Sequence, residues 1–336
     1  MPVRIEDVAR VAGVSTATVS RALRGLPSVS PDTQAAVRRA ASDLGYVVSR
    51  SASSLAGGKT QTIGVVTPYI SRWYYATVID AVERELRRVG YDALLVGVGE
   101  PKTADVEPFR PEILRGRVDG LVILTAPLTG QEMDDVRRLT VPMALVGAGA
   151  SGTMSVRVDD LSIGRTAAEH LIGLGHRKIA YIGGDPDDRR NFAAPLDRRA
   201  GWLSAMRHAG IDPPSSYAEM SDFTAATGQE ATERLLSLTE PPTAVFAASD
   251  DIAFGVLCAA RSAGLAVPGD LSVIGVDDHD ISETMGLTTI AQPVAAQGRL
   301  AAELVLAVIR GDVSRRHEHV VMPTRLVDRL TTAPPS

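Results

Sequence analysis

Between Ser15 and Arg24 the chain sets Thr16, Ala17, Thr18, Ser20, Arg21 and Arg24 among three apolar residues, Val19, Ala22 and Leu23. The apolar set recurs at spacings of three and four, so a helix over this stretch hides it on one face. The polar set then shares the opposite face. Short hydroxyls and a methyl act over a narrow reach, and arginine's planar fork of donors fits a guanine edge or two phosphate oxygens. This is chemistry for reading duplex DNA through its major groove. Elsewhere the sequence offers no nucleophile paired with a base, so no catalytic site and no enzyme is expected.

Such a helix needs partners to hold it. Ile5, Val8, Ala9 and Ala12 make an apolar face on a preceding helix, and Gly13-Val14 supplies a tight turn. Ser15 is an N-cap for the second helix. Gly25-Leu26-Pro27 breaks that helix, and Ser30-Pro31-Asp32 reads as N-cap, first-turn proline and acid at a positive helix end. Ala36, Val37, Ala40, Ala41 and Leu44 give a third amphipathic helix stopped by Gly45. The result is a helix-turn-helix head over residues 1–46. Residues 47–60 turn small and polar and read as a linker with room for a short helix from Arg50 to Leu55, of marginal stability alone.

Charge divides the same way. Residues 1–58 carry seven arginines against four acids, a net of +3, so the remainder carries −8 of the overall −5. A basic head on an acidic body turns the head toward phosphate.

From residue 61 apolar strands alternate with amphipathic helices. The pattern predicts strands at 62–67, 93–98, 120–124, 143–146, 155–158, 179–183, 244–247 and 271–276. Helices are expected at 76–89, 164–174, 198–209, 228–237, 252–263 and 295–310. Strands that are apolar throughout predict parallel sheets covered on both faces, and the length suffices for two subdomains. No window reaches about 18 uninterrupted apolar residues, so no membrane span is expected. The N-terminus lacks the apolar core of a secretory signal, which points to the cytoplasm. The lone Cys258 lies in I-A-F-G-V-L-C-A-A and reads as a small hydrophobe in a helix core. Glycine turns at 147–149 and 183–185 match neither a dinucleotide fingerprint nor a phosphate loop, so no cofactor is expected. His170 and His176 have no metal spacing and read as caps or packing groups. Asp250-Asp251 and the run D-P-D-D-R-R at 185–190 read as solvated turns.

Ordered landmarks run the length of the chain: I-E-D-V-A-R-V-A-G-V-S-T-A-T-V-S-R-A-L, V-S-P-D-T, I-G-V-V-T-P, H-L-I-G-L-G-H-R-K-I-A-Y-I-G-G, A-A-S-D-D-I-A-F-G, P-G-D-L-S-V-I-G-V-D-D and L-T-T-I-A-Q-P. With these the chain resembles the LacI/GalR family of bacterial transcription regulators. The resemblance implies a helix-turn-helix head, a hinge, and an α/β core like the periplasmic sugar-binding proteins over 61–333. Two doubly wound parallel-sheet subdomains are implied, one at 61–159 and 291–321, the other at 160–290 and 322–333, joined by three crossovers. In the head it implies base contacts by Thr16, Ala17 and Arg21 and backbone contacts by Ser15, Ser20, Arg24 and Thr33. In the hinge, Leu55 matches a leucine that wedges into the minor groove. Its neighbours depart from the pattern, with Val48 for proline, Ser49 for asparagine and Ser53 for arginine; packing within a flexible linker is the alternative for Leu55.

For the cleft, the resemblance implies effector contacts by Arg198, Asp277, Ser249, Phe223 and Gln292. Arg72-Trp73-Tyr74-Tyr75 replaces the common N-P-F-F, and Tyr74 and Tyr75 are placed to stack on a sugar ring. A solvated surface charge or a structural ion pair is the alternative for Arg198 and Asp277. Core packing or capping serves equally for Trp73 and Ser249. Gly147-Ala148 stands where the family carries Asp-Arg, removing one hydroxyl acceptor. The function expected is a dimeric repressor released from a near-palindromic operator by a small, sugar-like effector. A corepressor-dependent repressor is the alternative within the class, and a cytoplasmic sugar-binding protein the alternative outside it.

Overall fold

The computed structural model describes residues 3–23, 25–46, 59–98, 109–125, 128, 130–149, 152–184 and 193–336. Arg24, Leu55 with the rest of the hinge, and the 185–190 run fall outside the described residues. The chain divides into two compact units, residues 1–61 and 62–336.

In the first unit, α1 (Ile5–Ala12), α2 (Thr16–Leu23) and α3 (Pro31–Leu44) close on one core of Val8, Ala9, Val19, Ala22, Val29, Val37, Ala40 and Ala41. The caps are those the sequence suggests. The Ser15 hydroxyl accepts from Thr18 N at 3.1 Å, and Ser30 accepts from Thr33 N at 3.3 Å with Pro31 starting the helix. Gly13 takes φ 65°, the left-handed conformation that ends α1 and that a side chain resists. Asp7 reaches back to the Arg4 N–H at 3.0 Å, and this bond, with the Arg10 guanidinium, holds its carboxyl below the usual range.

The second unit holds two six-stranded sheets. The first contains β1 (Thr62–Thr67), β2 (Asp92–Gly97), β3 (Gly120–Leu124), β4 (Met143–Val146), β5 (Met154–Arg157) and β11 (His319–Val321), in the order β11-β5-β4-β3-β1-β2. The second contains β6 (Ile179–Gly183), β7 (Ala218–Met220), β8 (Ala244–Ala247), β9 (Ser272–Asp277), β10 (Thr288–Ala291) and β12 (Arg325–Val327), in the order β12-β10-β9-β8-β6-β7. All pairings are parallel except β10 with β12. The chain passes between sheets after β5, after β10 and between β11 and β12.

Between the strands run α4 (Trp73–Arg88), α5 (Gly130–Arg137), α6 (Asp160–Gly173), α7 (Ala193–His208), α8 (Ala225–Leu236), α9 (Asp250–Ser262) and α10 (Val294–Ile309). Val65, Val122, Val146 and Val305 lie in the core of the first lobe, and Ile182, Trp202, Phe246 and Ile274 in that of the second. Each sheet starts one way from its founding strand and then the other, at β1/β3 and at β6/β8. In such sheets ligands bind beyond the carboxyl ends of the strands at that switch.

Most core helices begin before their apolar stripe does. The stripe predicts starts at Ala76, Gly164, Arg198, Gly228 and Ile252, whereas the helices start at Trp73, Asp160, Ala193, Ala225 and Asp250. Their first turns lie at the cleft end of the sheets, so polar and aromatic groups replace core residues there. The short strands β7, β10, β11 and β12 escape the sequence pattern, having only three or four residues each. Cys258 corrects another expectation: it lies on α9 but on its exposed face, the core face being taken by Val256, Ala259 and Ala260.

Candidate nucleic-acid interface and ligand cleft

In the head, burial of Val19 and Ala22 turns the opposite face of α2 outward. Ser15, Thr16, Ala17 and Arg21 are exposed, and Ser20 is half-buried. The Arg21 guanidinium has no hydrogen bond or ion pair with the described residues, so its donors are unspent. Two of the expected contacts are already engaged within the head. The Ser15 hydroxyl caps α2 and bonds Thr18 Oγ1 at 2.9 Å, and Thr33 Oγ1 bonds Ser30 at 2.9 Å. In each pair either hydroxyl can be the donor, and where Thr18 or Ser30 donates, the O–H of Ser15 or Thr33 is left for a phosphate oxygen.

In the core, the expected cleft residues follow the carboxyl ends of different strands: Tyr74 and Tyr75 after β1, Arg198 after β6, Phe223 after β7, Ser249 after β8, Asp277 on β9, and Gln292 after β10. Topology therefore collects residues spread over more than 200 positions at one place. Tyr74 lies in the fields of Asp160, Asp277 and Arg198, and burial raises its phenol above the ordinary range. Burial likewise pushes Tyr75 to about 12, against the Thr125 hydroxyl that donates to it at 3.1 Å. A Cβ on Gly147 would strike Thr125 and approach the Tyr74 hydroxyl at 3.0 Å. The tyrosine thus occupies ground next to the backbone where an acidic side chain is missing.

Arg198 and Asp277 are both buried. Arg198 Nε donates to Asp160 Oδ1 at 2.8 Å and Nη1 donates to the Ala248 carbonyl. Burial works against its charge, but Asp160 and Asp277 beside it more than offset that, so it stays firmly cationic. This pair exists because Gly164 on α6 and Gly201 on α7 let the helices touch backbone to backbone: a Cβ on Gly164 would overlap the Arg198 carbonyl. Asp277 accepts from Gln292 Nε2 at 2.5 Å, and Gln292 Oε1 accepts from Gln297 Nε2 at 3.0 Å. Burial pushes the Asp277 carboxyl up to about 8, with Arg198 pulling the other way. Ser249 caps α9, accepting from Ile252 N at 3.3 Å. Phe223, at φ 58°, sets its ring beside Gly184 and Pro195.

Contacts also bridge the two lobes. Arg72 Nη1 donates to the Asp222 carbonyl at 2.8 Å, and the Trp73 ring stacks on His279 with centroids 4.7 Å apart. His279 sits on a loop tied down by Asp250, which accepts from His279 N at 2.9 Å, Ser282 Oγ at 2.7 Å and Thr289 Oγ1 at 2.7 Å. Asp250 is fully buried and burial pushes its carboxyl up to about 6, which overturns its reading as a solvated turn. The two histidines fare as expected. His176 bonds Thr243, Ser272 and the Ala333 carbonyl at 2.8–3.0 Å, and His170 bonds Thr332 at 3.0 Å, pinning the C-terminal segment.

Sequence reasoning missed Asp160, Asp250, His279 and Gln297. A first-turn acid after a strand could have flagged Asp160 and Asp250, but nothing local pairs Asp160 with a residue 38 positions on.

Residues 4–49 match the family model for bacterial regulatory proteins of the lacI family, and residues 168–332 that for a periplasmic binding protein-like domain. The HTH-type transcriptional repressor CytR of Escherichia coli (strain K12) is 34% identical over 96% of this chain and 93% of its own length. The chain belongs to the lacI family of bacterial regulatory proteins. Among solved structures of this family, the Lac repressor dimer bound to operator and the anti-inducer ONPF superposes with a TM-score of 0.85. It is 29% identical, with 99% of this chain and 100% of that one covered. The CelR–cellobiose complex, a transcriptional regulator, gives a TM-score of 0.72 at 30% identity, covering 98% and 99%. Among the described residues no helix is long and apolar enough to cross a membrane, and no cluster of three or more His, Cys, Asp or Glu is arranged to hold a metal.

Proposed function

We propose that this lacI-family regulator is a cytoplasmic homodimer that represses transcription by holding a near-palindromic operator. Each protomer places α2 in a major groove, with Thr16, Ala17 and Arg21 toward bases and Ser15, Ser20, Arg24 and Thr33 toward the backbone. Leu55 enters the minor groove from the hinge. A small carbohydrate occupies the cleft between the sheets, against Tyr74, Tyr75, Arg198, Phe223, Ser249, Asp277 and Gln292, and releases the operator. The cleft binds and does no chemistry.

The observation that carries the reading is the outer face of α2, where an exposed Arg21, its guanidinium without a partner among the described residues, stands beside Thr16 and Ala17 on a capped helix. A two-fold dimer matches a palindrome because each half-site then meets the same helix. Convergence of the predicted cleft residues supports the second half, since aromatic faces and paired charges are what a sugar ring and its hydroxyls require.

A gel-shift titration on operator fragments, with and without candidate sugars, tests both halves. Retention of palindromic DNA that weakens as sugar is added is the expected result. Tightening on sugar addition would reverse the sign to corepression, and no retention at low salt would remove the DNA reading altogether.

A further inference from the structure

Among the described residues the buried polar atoms without a hydrogen-bond partner include Trp73 Nε1 on α4 and Gln297 Oε1 at the back of the cleft, and the second is an acceptor. Gln297, on the first turns of α10, is fully buried. Its Nε2 donates to Gln292 Oε1, and Gln292 Nε2 donates to Asp277 Oδ1. The far end dictates the direction of this relay. The Asp277 oxygen accepts, so Gln292 turns its amide nitrogen to Asp277 and its carbonyl to Gln297. Gln297 spends its nitrogen on that carbonyl and is left with Oε1, which has no hydrogen-bond partner among the described residues. Buried acceptors without partners are uncommon and each calls for an explanation.

Gln297 itself sits between two elements that carry cleft residues. On one side stands Gln292, bonded to Asp277. On the other, the neighbouring Gly298 lies against α4, where an added Cβ would come within 2.5 Å of the Val78 carbonyl, one turn beyond Tyr74 and Tyr75. The charges nearby have a consistent polarity. Arg198 has Nε on Asp160 and Nη1 on the Ala248 carbonyl, while Asp277 has only an amide for a direct partner. On this side the cleft therefore presents the oxygens of Asp277 and Gln297, while an unpaired donor, Trp73 Nε1, lies on α4.

We propose that Gln297 Oε1 is a further ligand contact, and that with Asp277 it selects an effector bearing O–H or N–H donors, a neutral or amine-bearing sugar rather than a phosphorylated or acidic one. The proposal rests on the reading of the cleft as a carbohydrate site. An anionic substituent there would face the Asp277 carboxyl and the Gln297 carbonyl, beside a guanidinium already engaged.

Calorimetry and thermal shift on the full-length protein test this with neutral sugars (glucose, galactose, ribose, cellobiose), glucosamine, glucose 6-phosphate and glucuronate. Gln297→Met conserves volume while deleting both the amide donor and the orphan acceptor. The tightest wild-type ligand should be neutral or amine-bearing, and the variant should bind it about ten-fold more weakly or worse. The sugar-free variant should melt near the wild-type temperature, since deleting the orphan Oε1 offsets leaving Gln292 Oε1 without its donor; a large drop would mark the side chain as purely structural and overturn the proposal. Gln297→Leu, tested in parallel, should weaken binding in the same way. Preference for the phosphorylated or acidic sugar, or undiminished affinity in both variants, would overturn the proposal. A wild type that binds no sugar in the set removes the carbohydrate reading itself and this proposal with it, and the operator gel shift shows whether the DNA reading survives.

Discussion

Arg21 stands on the outer face of α2 with its donors unspent, and its value lies in what it meets outside the protein. Truncation to alanine should lower operator affinity by about 1–3 kcal/mol, the range for losing one bidentate base contact. A gel shift measures the loss, with calorimetric sugar affinity as control; equal affinity would strip Arg21 of its role. Asp277 makes a different kind of statement. Its folded carboxyl titrates at about 8 against an ordinary 3.8, so the folded protein holds a proton that the unfolded chain has released. Stability is then fully present at low pH and is lost as pH rises toward 8. Asp250, at about 6, adds to the lower part of that window. His170 and His176 act oppositely: burial lowers both from 6.5, so the unfolded chain gains protons below that pH and stability falls on acidification. Between about 6.5 and 8 the slope belongs mainly to Asp277. The core's melting temperature should fall across that range, and Asp277→Asn should flatten the fall. A slope unchanged by the substitution would place the titrating group elsewhere.

At the level of elements, the α6–α7 contact decides where Arg198 can be. Gly164 faces the Arg198 backbone with no room for a Cβ, and Gly201 faces the Leu161 carbonyl in the same way. Gly164→Ala should force the helices apart, costing about 1–3 kcal/mol of core stability as overpacking does. It should also weaken sugar binding by loosening the Arg198–Asp160 pair. Chemical denaturation and calorimetry on the same variant read the two effects, and a drop in stability with sugar affinity intact would separate the contact from the site. The elements also show why prediction stopped where it did. Apolar periodicity found the buried lengths of most helices but not their first turns, because Trp73–Tyr75, Asp160 and Asp250 face the cleft and break the stripe. The head was legible almost entirely: Ser15, Ser30, Gly13 and Gly45 are local signals, and each acts within a few residues of itself.

For the whole molecule, the proposed function makes cleft and operator two ends of one equilibrium. The factor by which saturating sugar weakens operator binding should equal the factor by which operator weakens sugar binding. Gel shifts with sugar and calorimetry with and without operator DNA give the two numbers independently; a factor of one in both would mean that cleft and operator are not coupled and would sink the release mechanism.

By itself the sequence determined the head, the alternation of strands and helices, and which segments are buried, because capping, turn chemistry and periodicity act between near neighbours. Only the tertiary structure decided that Asp160 pairs with Arg198, that Asp250 is a buried anchor, that Cys258 faces outward, and that Gln297 joins Gln292 and Asp277. Those outcomes depend on which strand ends meet at the cleft and how closely two helices cross, and the chain specifies these by packing across long separations, where no local pattern records the partner.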